Sequence, residues 1–287
     1  MTEPARTMDR IVAAYAVVSG LALAFAHRPG SWPLIALGHI ALLAVAVNAH
    51  RLRGRAASHR GPAGPVLRVV TDWYPLLVLP LLYTELAVLN TSVWGGRYFD
   101  GTIMRWEEAL FGGQPSVTLA LAAPVLALSE LLHSAYLSYY AIIYLPPLYL
   151  YLRGERDRFH RLMLPLIATF VAHYVVFVYF PVQGPRYIFP PPAGGLEAGP
   201  VYGLTHRILE AGSSQGSAFP SSHVGVSVAQ TVSAFRYMPR AAPWLGAATL
   251  GLAVGAVYGG FHYAIDAVIG AAVGGALALI LGRRRRA

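Results

Sequence analysis

Two histidine-bearing motifs carry most of the chemistry legible in this chain. The first reads Gly216-Ser217-Ala218-Phe219-Pro220-Ser221-Ser222-His223. Proline favours the first helical turn, so Pro220 is expected to open a helix and leave the amides of Ser221, Ser222 and His223 without intrahelical acceptors. Such a terminus suits a phosphate, because free N–H groups and the positive end of the helix dipole both face the anion. The same octapeptide also reads as a capped helix start with an interfacial histidine. The second motif reads Tyr258-Gly259-Gly260-Phe261-His262-Tyr263-Ala264-Ile265-Asp266. If helical, His262 and Asp266 share one face, so the carboxylate can hold one imidazole nitrogen and leave the other free to attack. Gly259 and Gly260 let backbone or substrate come close. On its own this pair reads equally as two interfacial groups that satisfy each other. A third stretch, Gln183-Gly184-Pro185-Arg186-Tyr187, sets an arginine beside a turn. Its guanidinium can grip a phosphate bidentately or contact a lipid headgroup.

The elements that position these residues are membrane spans. Of 287 residues, 56% are hydrophobic and 12% charged, against about 25% charged in a soluble protein. Mean hydropathy is +0.51. All 22 basic residues are arginine, net charge is +9, and there is no cysteine, which excludes disulfides, thiolate metal sites and a cysteine nucleophile. Crossing a hydrocarbon core takes about 20 mostly apolar residues. Eight segments are expected to do so, near 11 to 26, 32 to 49, 69 to 93, 129 to 152, 162 to 180, 221 to 237, 243 to 261 and 264 to 282. The expected fold is therefore an all-α polytopic bundle, a single integral-membrane domain over 1 to 287 with its catalytic core about 129 to 282. With both termini cytoplasmic, 17 of the 22 arginines fall inside, as positively charged loops prefer. The three motifs then share the extracytoplasmic face. The first span also reads as a signal peptide, since Arg6 and Arg10 precede an apolar run ending Ala24-Phe25-Ala26. Phe99, Ile103, Trp106 and Leu110 are spaced as one apolar helix face. They predict an amphipathic interfacial helix on the outer side, with Arg105, Glu107 and Glu108 towards water. No internal repeat or separate soluble domain is visible.

In their order and sidedness the three motifs resemble the phosphatidic acid phosphatase type 2 superfamily of membrane lipid phosphatases and phosphotransferases. That family's pattern has a first motif with a phosphate-binding arginine before proline, a second of Pro-Ser-x-His type and a third ending His-x-x-x-Asp. Arg186, the Pro220 to His223 run, and His262 with Asp266 match in turn. The resemblance implies that His262 attacks phosphorus to give a phosphohistidine, that Asp266 orients it, and that His223 protonates the leaving oxygen. Arg186, Ser221, Ser222 and Gln183 would hold the phosphoryl oxygens, and neither a metal nor another cofactor is implied. The family's usual lysine before the first motif's arginine is here Tyr179, and its usual arginine before the third motif's histidine is here Ala256. A transferring phosphoryl group needs its charge compensated, so Gln183, His206, Arg207 and Tyr258 are candidate substitutes, with Tyr187 beside them as a further substrate contact. The Tyr-x-x-x-His-Tyr-x-x-Asp motif, and residues 100 to 115 with their Ala-Leu-Phe-Gly-x-x-Pro, look like the branch that includes inositol phosphorylceramide synthases, which transfer a phosphoryl-linked headgroup.

Asp72, Glu85, Glu130, His133 and His173 fall within or near apolar spans, where ionisable groups usually face the bundle interior. Asp72 is expected to pair near the cytoplasmic end, with Arg68 as the nearest cation, while Glu85, Glu130 and His133 are candidates for the pocket wall. Tyrosines at 136, 139, 140, 144, 149 and 151 suit a headgroup cleft or an interface belt. The expected partners are a lipid phosphate and the surrounding membrane lipids, not nucleic acid. Hydrolysis, headgroup transfer and a catalytically silent lipid-binding role all remain open at this level. A transporter would call for inverted repeats, and none is seen.

Overall fold

The structure is a computed structural model describing residues 2–25, 27, 30–59, 61–190 and 195–282. Of the arginines used above for orientation, Arg28, Arg60 and residues 283 to 286 lie outside the described residues. The protein is all-helical, 81% helix, with no strand among the described residues. Its first half comprises α1 (Glu3–Gly20), α2 (Trp32–Ser58), and α3 (Ala63–Leu77) running into α4 (Leu79–Trp94). The break at Val78 follows from Pro80, which supplies no N–H to the preceding turn. Two short helices follow, α5 (Asp100–Phe111) and α6 (Pro115–Ala122). Then come α7 (Leu126–Leu137) and α8 (Tyr139–Leu152), one segment interrupted at Ser138, and α9 (Arg156–Tyr179). The single-turn α10 (Pro185–Ile188), α11 (Pro200–Gly212), α12 (Ser222–Tyr237), α13 (Ala242–Tyr258) and α14 (Ala264–Leu281) complete the chain.

Among the described residues, five segments are long and apolar enough to cross a membrane: Glu3–Ala24, Trp32–Ser58, Ala63–Trp94, Arg156–Tyr179 and Ala264–Leu281. Each of the eight expected spans coincides with helix. However, α12 and α13 have only 16 and 17 residues, and the segment 129 to 152 is divided at Ser138. Outward positions such as Leu34, Leu37, Ile40, Leu250 and Ile280 are exposed and apolar, as a lipid surround requires. The core gathers on α9, where Phe159, Leu162, Met163, Leu166, Ile167 and Phe177 are fully buried. Against α9 lies α12, which also packs on α14 and α13. The α12–α14 approach depends on glycine: a Cβ on Gly274 would collide with the Gly225 backbone, and one on Gly270 with that of Ser221.

The bundle end away from the three motifs is tied by buried charge. Arg53 donates to both carboxylate oxygens of Asp9 and to the Thr71 carbonyl. Asp72 pairs not with Arg68 but with His160 at 3.1 Å, and lies 3.6 Å from Arg53 and 3.8 Å from Arg156. Burial explains the exchange, since α2 carries Arg53 into the interior. Glu85 of α4 holds His39 of α2 at 2.8 Å.

Helix α5 reverses part of the sequence expectation. Trp106 and Leu110 are exposed, while Asp100, Ile103 and Glu107 form the buried face. Glu107, expected in water, is fully buried and accepts a hydrogen bond from the Ile265 amide at 3.1 Å. The cause is the N-terminus of α14, whose unpaired amides attract a carboxylate more strongly than solvent holds it.

Candidate active site

The three motifs meet at one end of the bundle, bound to each other through main chain. The Val182 amide donates to the Gly216 carbonyl and the Ala218 amide to the Val182 carbonyl, joining the arginine turn to the Pro-Ser motif. The Ser221 amide donates to the Asp266 carbonyl at 2.9 Å, joining the second motif to the third. Asp100 joins the third to the first. Its carboxylate accepts from the amides of Gln183 and Gly184, both at 2.9 Å, and from the Tyr263 hydroxyl at 3.0 Å. Gly184 holds φ +99°, and a Cβ there would press on the Ala218 Cβ and the Phe261 carbonyl, so glycine lets the turn lie flat on both neighbours.

His262 precedes α14 rather than lying on it, because Tyr263 is the N-cap residue. Asp266 reaches back from the first turn, accepting from the Tyr263 amide at 2.8 Å and standing 3.5 Å from Nδ1 of His262. The expected proximity therefore arises from a helix cap, not from four-residue spacing along a helix. Nδ1 donates to the Ala218 carbonyl at 3.0 Å. A carbonyl can only accept, so the proton sits on Nδ1 and Nε2 keeps its lone pair. His262, in the turn between α13 and α14, is buried, which lowers its pKa to about 3; nearby His223 lowers it further and the Ala218 bond opposes. It is thus neutral at physiological pH, as a nucleophile must be.

Helix α12 starts two residues later than proline preference suggests. Ser221 is the N-cap and accepts from the Val224 amide at 3.3 Å, while its own amide is taken by Asp266. The amides left for an anion are those of Ser222 and His223. The His223 ring lies against Tyr136 and Tyr139, with centroids 5.2 and 4.3 Å away, and 5.7 Å from the His262 ring. His223, His262, Arg186, Tyr187, Gln183 and Ser217 line a common small cavity. Arg186 stacks over the Tyr187 ring and donates to its hydroxyl.

Two larger spaces adjoin this cavity. An apolar groove leaves it at His223 and Tyr83 and runs past Tyr139, Tyr140, Ile143, Phe170 and Leu79 between α4, α8, α9 and α11. On the other side, a chamber shares Arg186 and Tyr187 and is walled by Tyr202, His206, Glu210 and Tyr258. In that wall His206 stacks on Tyr202 at 4.0 Å, and burial, His133 and Arg186 in turn lower its pKa.

The proposed cation substitutes divide. Gln183 lines the cavity at the histidines, and His206 lines the chamber. Arg207 is exposed on α11 and is not among the residues lining either space. Tyr258 walls the chamber, but its hydroxyl is committed to the Ala123 carbonyl at 2.8 Å. The Tyr179 hydroxyl donates to the Val18 carbonyl, and the Ala256 carbonyl accepts from the amides of Phe261 and His262, so neither of those positions supplies charge. Glu130 caps α11 by accepting from the amides of Val201 and Tyr202. His173 is buried, with Nδ1 donating to Thr169. His133 is buried beside Tyr202 and Phe261. Among the described residues no group of three or more His, Asp or Glu is arranged to hold a metal ion.

Sequence reasoning missed Asp100, Glu107 and Tyr263. The signal was present as Asp100, Ile103 and Glu107 at spacings of three and four, an acidic helix face beside the Ala-Leu-Phe-Gly run. Searches of curated proteins and of solved structures gave no match. A family model described as PAP2 superfamily matches residues 101–280. The match covers more than half of the chain and takes in Arg186, His223, His262 and Asp266, and the chain belongs to the PAP2 superfamily.

Proposed function

We propose that this protein is an integral-membrane lipid phosphate phosphatase or phosphotransferase that works through a phosphohistidine on His262. One observation carries the reading: the Ala218 carbonyl fixes the proton on Nδ1 and leaves the Nε2 lone pair beside Arg186 and His223. Nε2 attacks phosphorus, the N–P bond forms as the ester P–O bond breaks, and protonated His223 gives the leaving oxygen its proton. Water or an alcohol then loses a proton to His223 and attacks the phosphohistidine, returning His262. Arg186 and the amides of Ser222 and His223 hold the phosphoryl oxygens. The apolar groove supports a lipid as the substrate, with acyl chains lying along α8 and α4.

In this reading the chain crosses the bilayer eight times, through α1, α2, α3 with α4, α7 with α8, α9, α12, α13 and α14. The arginine-rich end is cytoplasmic and the site extracytoplasmic. A second reading, headgroup transfer as in inositol phosphorylceramide synthases, is favoured by the chamber beyond Arg186, whose wall carries His206, Glu197 and Glu210. A phosphodiester would place its tail in the groove and its headgroup against His206, Tyr202 and Glu210. The catalytically silent alternative has no such support, since His223, His262 and Asp266 are all present and adjacent.

The test is purified protein given lipid phosphates, lipid diphosphates and phosphoinositol lipids, with and without free inositol and with chelator, beside His262→Ala. Phosphate release or headgroup exchange that survives chelator and falls at least about 10³-fold in the variant is expected. Activity that persists in His262→Ala overturns the covalent role. Product formed only when the alcohol is supplied selects transfer over hydrolysis.

A further inference from the structure

A large crevice lies away from the histidines, between α8 and α13 at the arginine-rich end. Its shape follows from where small residues fall. Near the catalytic end α13 presses on α7, and a Cβ on Gly255 would strike the Leu132 carbonyl while one on Gly251 would touch the Ala135 Cβ. Beyond Ser138, α8 diverges from α13, leaving a wedge floored by Ile142, Leu150, Leu245 and Ala248. Ile142 and Leu150 are themselves 2% and 1% exposed, so the wedge reaches the core.

The rim is cationic. Arg153, Arg158 and Arg240 all border the opening, and Glu155, bonded to Arg153 and Arg158, is the single carboxylate among the lining residues. Arg240, at the α12–α13 turn, makes no ion pair with a described residue. Trp244 stands 79% exposed at the mouth, where an indole suits the boundary between headgroups and acyl chains. An apolar wedge open to the side with net positive charge at one level has the form of a lipid, with chain below and phosphate above.

We propose that this crevice binds one anionic phospholipid from the leaflet opposite the phosphate-transfer site, its acyl chain between α8 and α13 and its phosphate against Arg153, Arg158 and Arg240. The charge pattern selects this occupant over a zwitterionic lipid, and the depth of the wedge selects a chain over a flat protein partner. The proposal rests on the membrane placement above but not on the reaction, so its test is independent of turnover.

Full-length protein is purified in a neutral detergent, given equal amounts of phosphatidylglycerol and phosphatidylcholine, and weighed by native mass spectrometry. One retained phosphatidylglycerol, preferred by about tenfold, is expected for two net charges at the rim. The triple variant Arg153→Gln, Arg158→Gln, Arg240→Gln should lose the preference. Ala248→Trp, which fills the wedge, should lose retention of both lipids. Circular dichroism and thermal melting verify that each variant is folded, and phosphate release at the His262 site reports separately on the reaction. Equal retention of the two lipids by wild type overturns the proposal, as does a preference untouched by the triple variant, or a protein dimer that Ala248→Trp abolishes without change in bound lipid.

Discussion

His262 takes its tautomer from a backbone carbonyl, and Asp266 divides its carboxylate between the imidazole and the start of α14. The two roles can be separated by substitution. In Asp266→Asn the amide oxygen can still accept from Tyr263, and Ala218 still holds Nδ1–H, so the ring stays oriented. What disappears is the negative charge facing the imidazole as it becomes positive on phosphorylation. A fall in kcat of about 10²-fold is expected, less than the about 10⁴-fold seen where a carboxylate alone sets the tautomer. Steady-state assay of lipid phosphate turnover checks this, and a loss as large as that of His262→Ala would show that Asp266 sets the tautomer after all. The same burial makes a second prediction. With its folded pKa lowered from 6.5 to about 3, His262 binds fewer protons when folded than when unfolded, so its contribution to stability falls as pH drops from 6.5 towards 3. In ¹⁵N spectra of labelled protein its imidazole should remain neutral, with Nδ1 protonated, at pH 5. Titration near 6.5 would contradict the buried geometry.

At the scale of elements, α5 is the brace that holds the arginine turn to the histidine turn. Asp100→Ala leaves the amides of Gln183 and Gly184 without their acceptor inside the protein, a cost of about 1 to 3 kcal/mol per group. A fall of about 10²-fold in kcat/KM is expected, mostly through KM because Arg186 shifts, with partial recovery in Asp100→Asn. If kcat falls while KM holds, Asp100 acts on chemistry and not on position. The α12–α14 contact makes a companion case: Gly270→Ala forces the helices apart at Ser221 and should cost about 1 to 3 kcal/mol, read as a lower midpoint in thermal unfolding. The motifs on α12 and α14 could be read from the chain because their chemistry is local in sequence. The brace could not, because helical periodicity identifies an apolar stripe without saying which side faces lipid. In a bilayer the apolar side of α5, with Trp106 and Leu110, can face outward while Asp100 and Glu107 turn to the polar site. The partner of His262 was equally hidden, since Ala218 is distant in sequence and contributes only its carbonyl. The division of the segment 129 to 152 was hidden for a third reason, because apolar composition does not reveal the interruption at Ser138.

For the whole molecule, the arginine distribution makes a claim about sidedness that the absence of cysteine renders easy to check. Ser58→Cys at the end of α2 and Ala198→Cys before α11 are both exposed positions. In sealed cells an impermeant maleimide should label the residue at 198 and leave that at 58 unlabelled until the membrane is opened. The opposite pattern would put the phosphate site in the cytoplasm. The groove past Tyr139 and Phe170 carries a further consequence. It lies between helices, so the proposed lipid substrate is expected to arrive by lateral diffusion in the plane of the membrane. Turnover should then follow surface-dilution kinetics. Adding inert detergent to mixed micelles at fixed total lipid phosphate slows the reaction, because what the protein samples is a mole fraction in two dimensions.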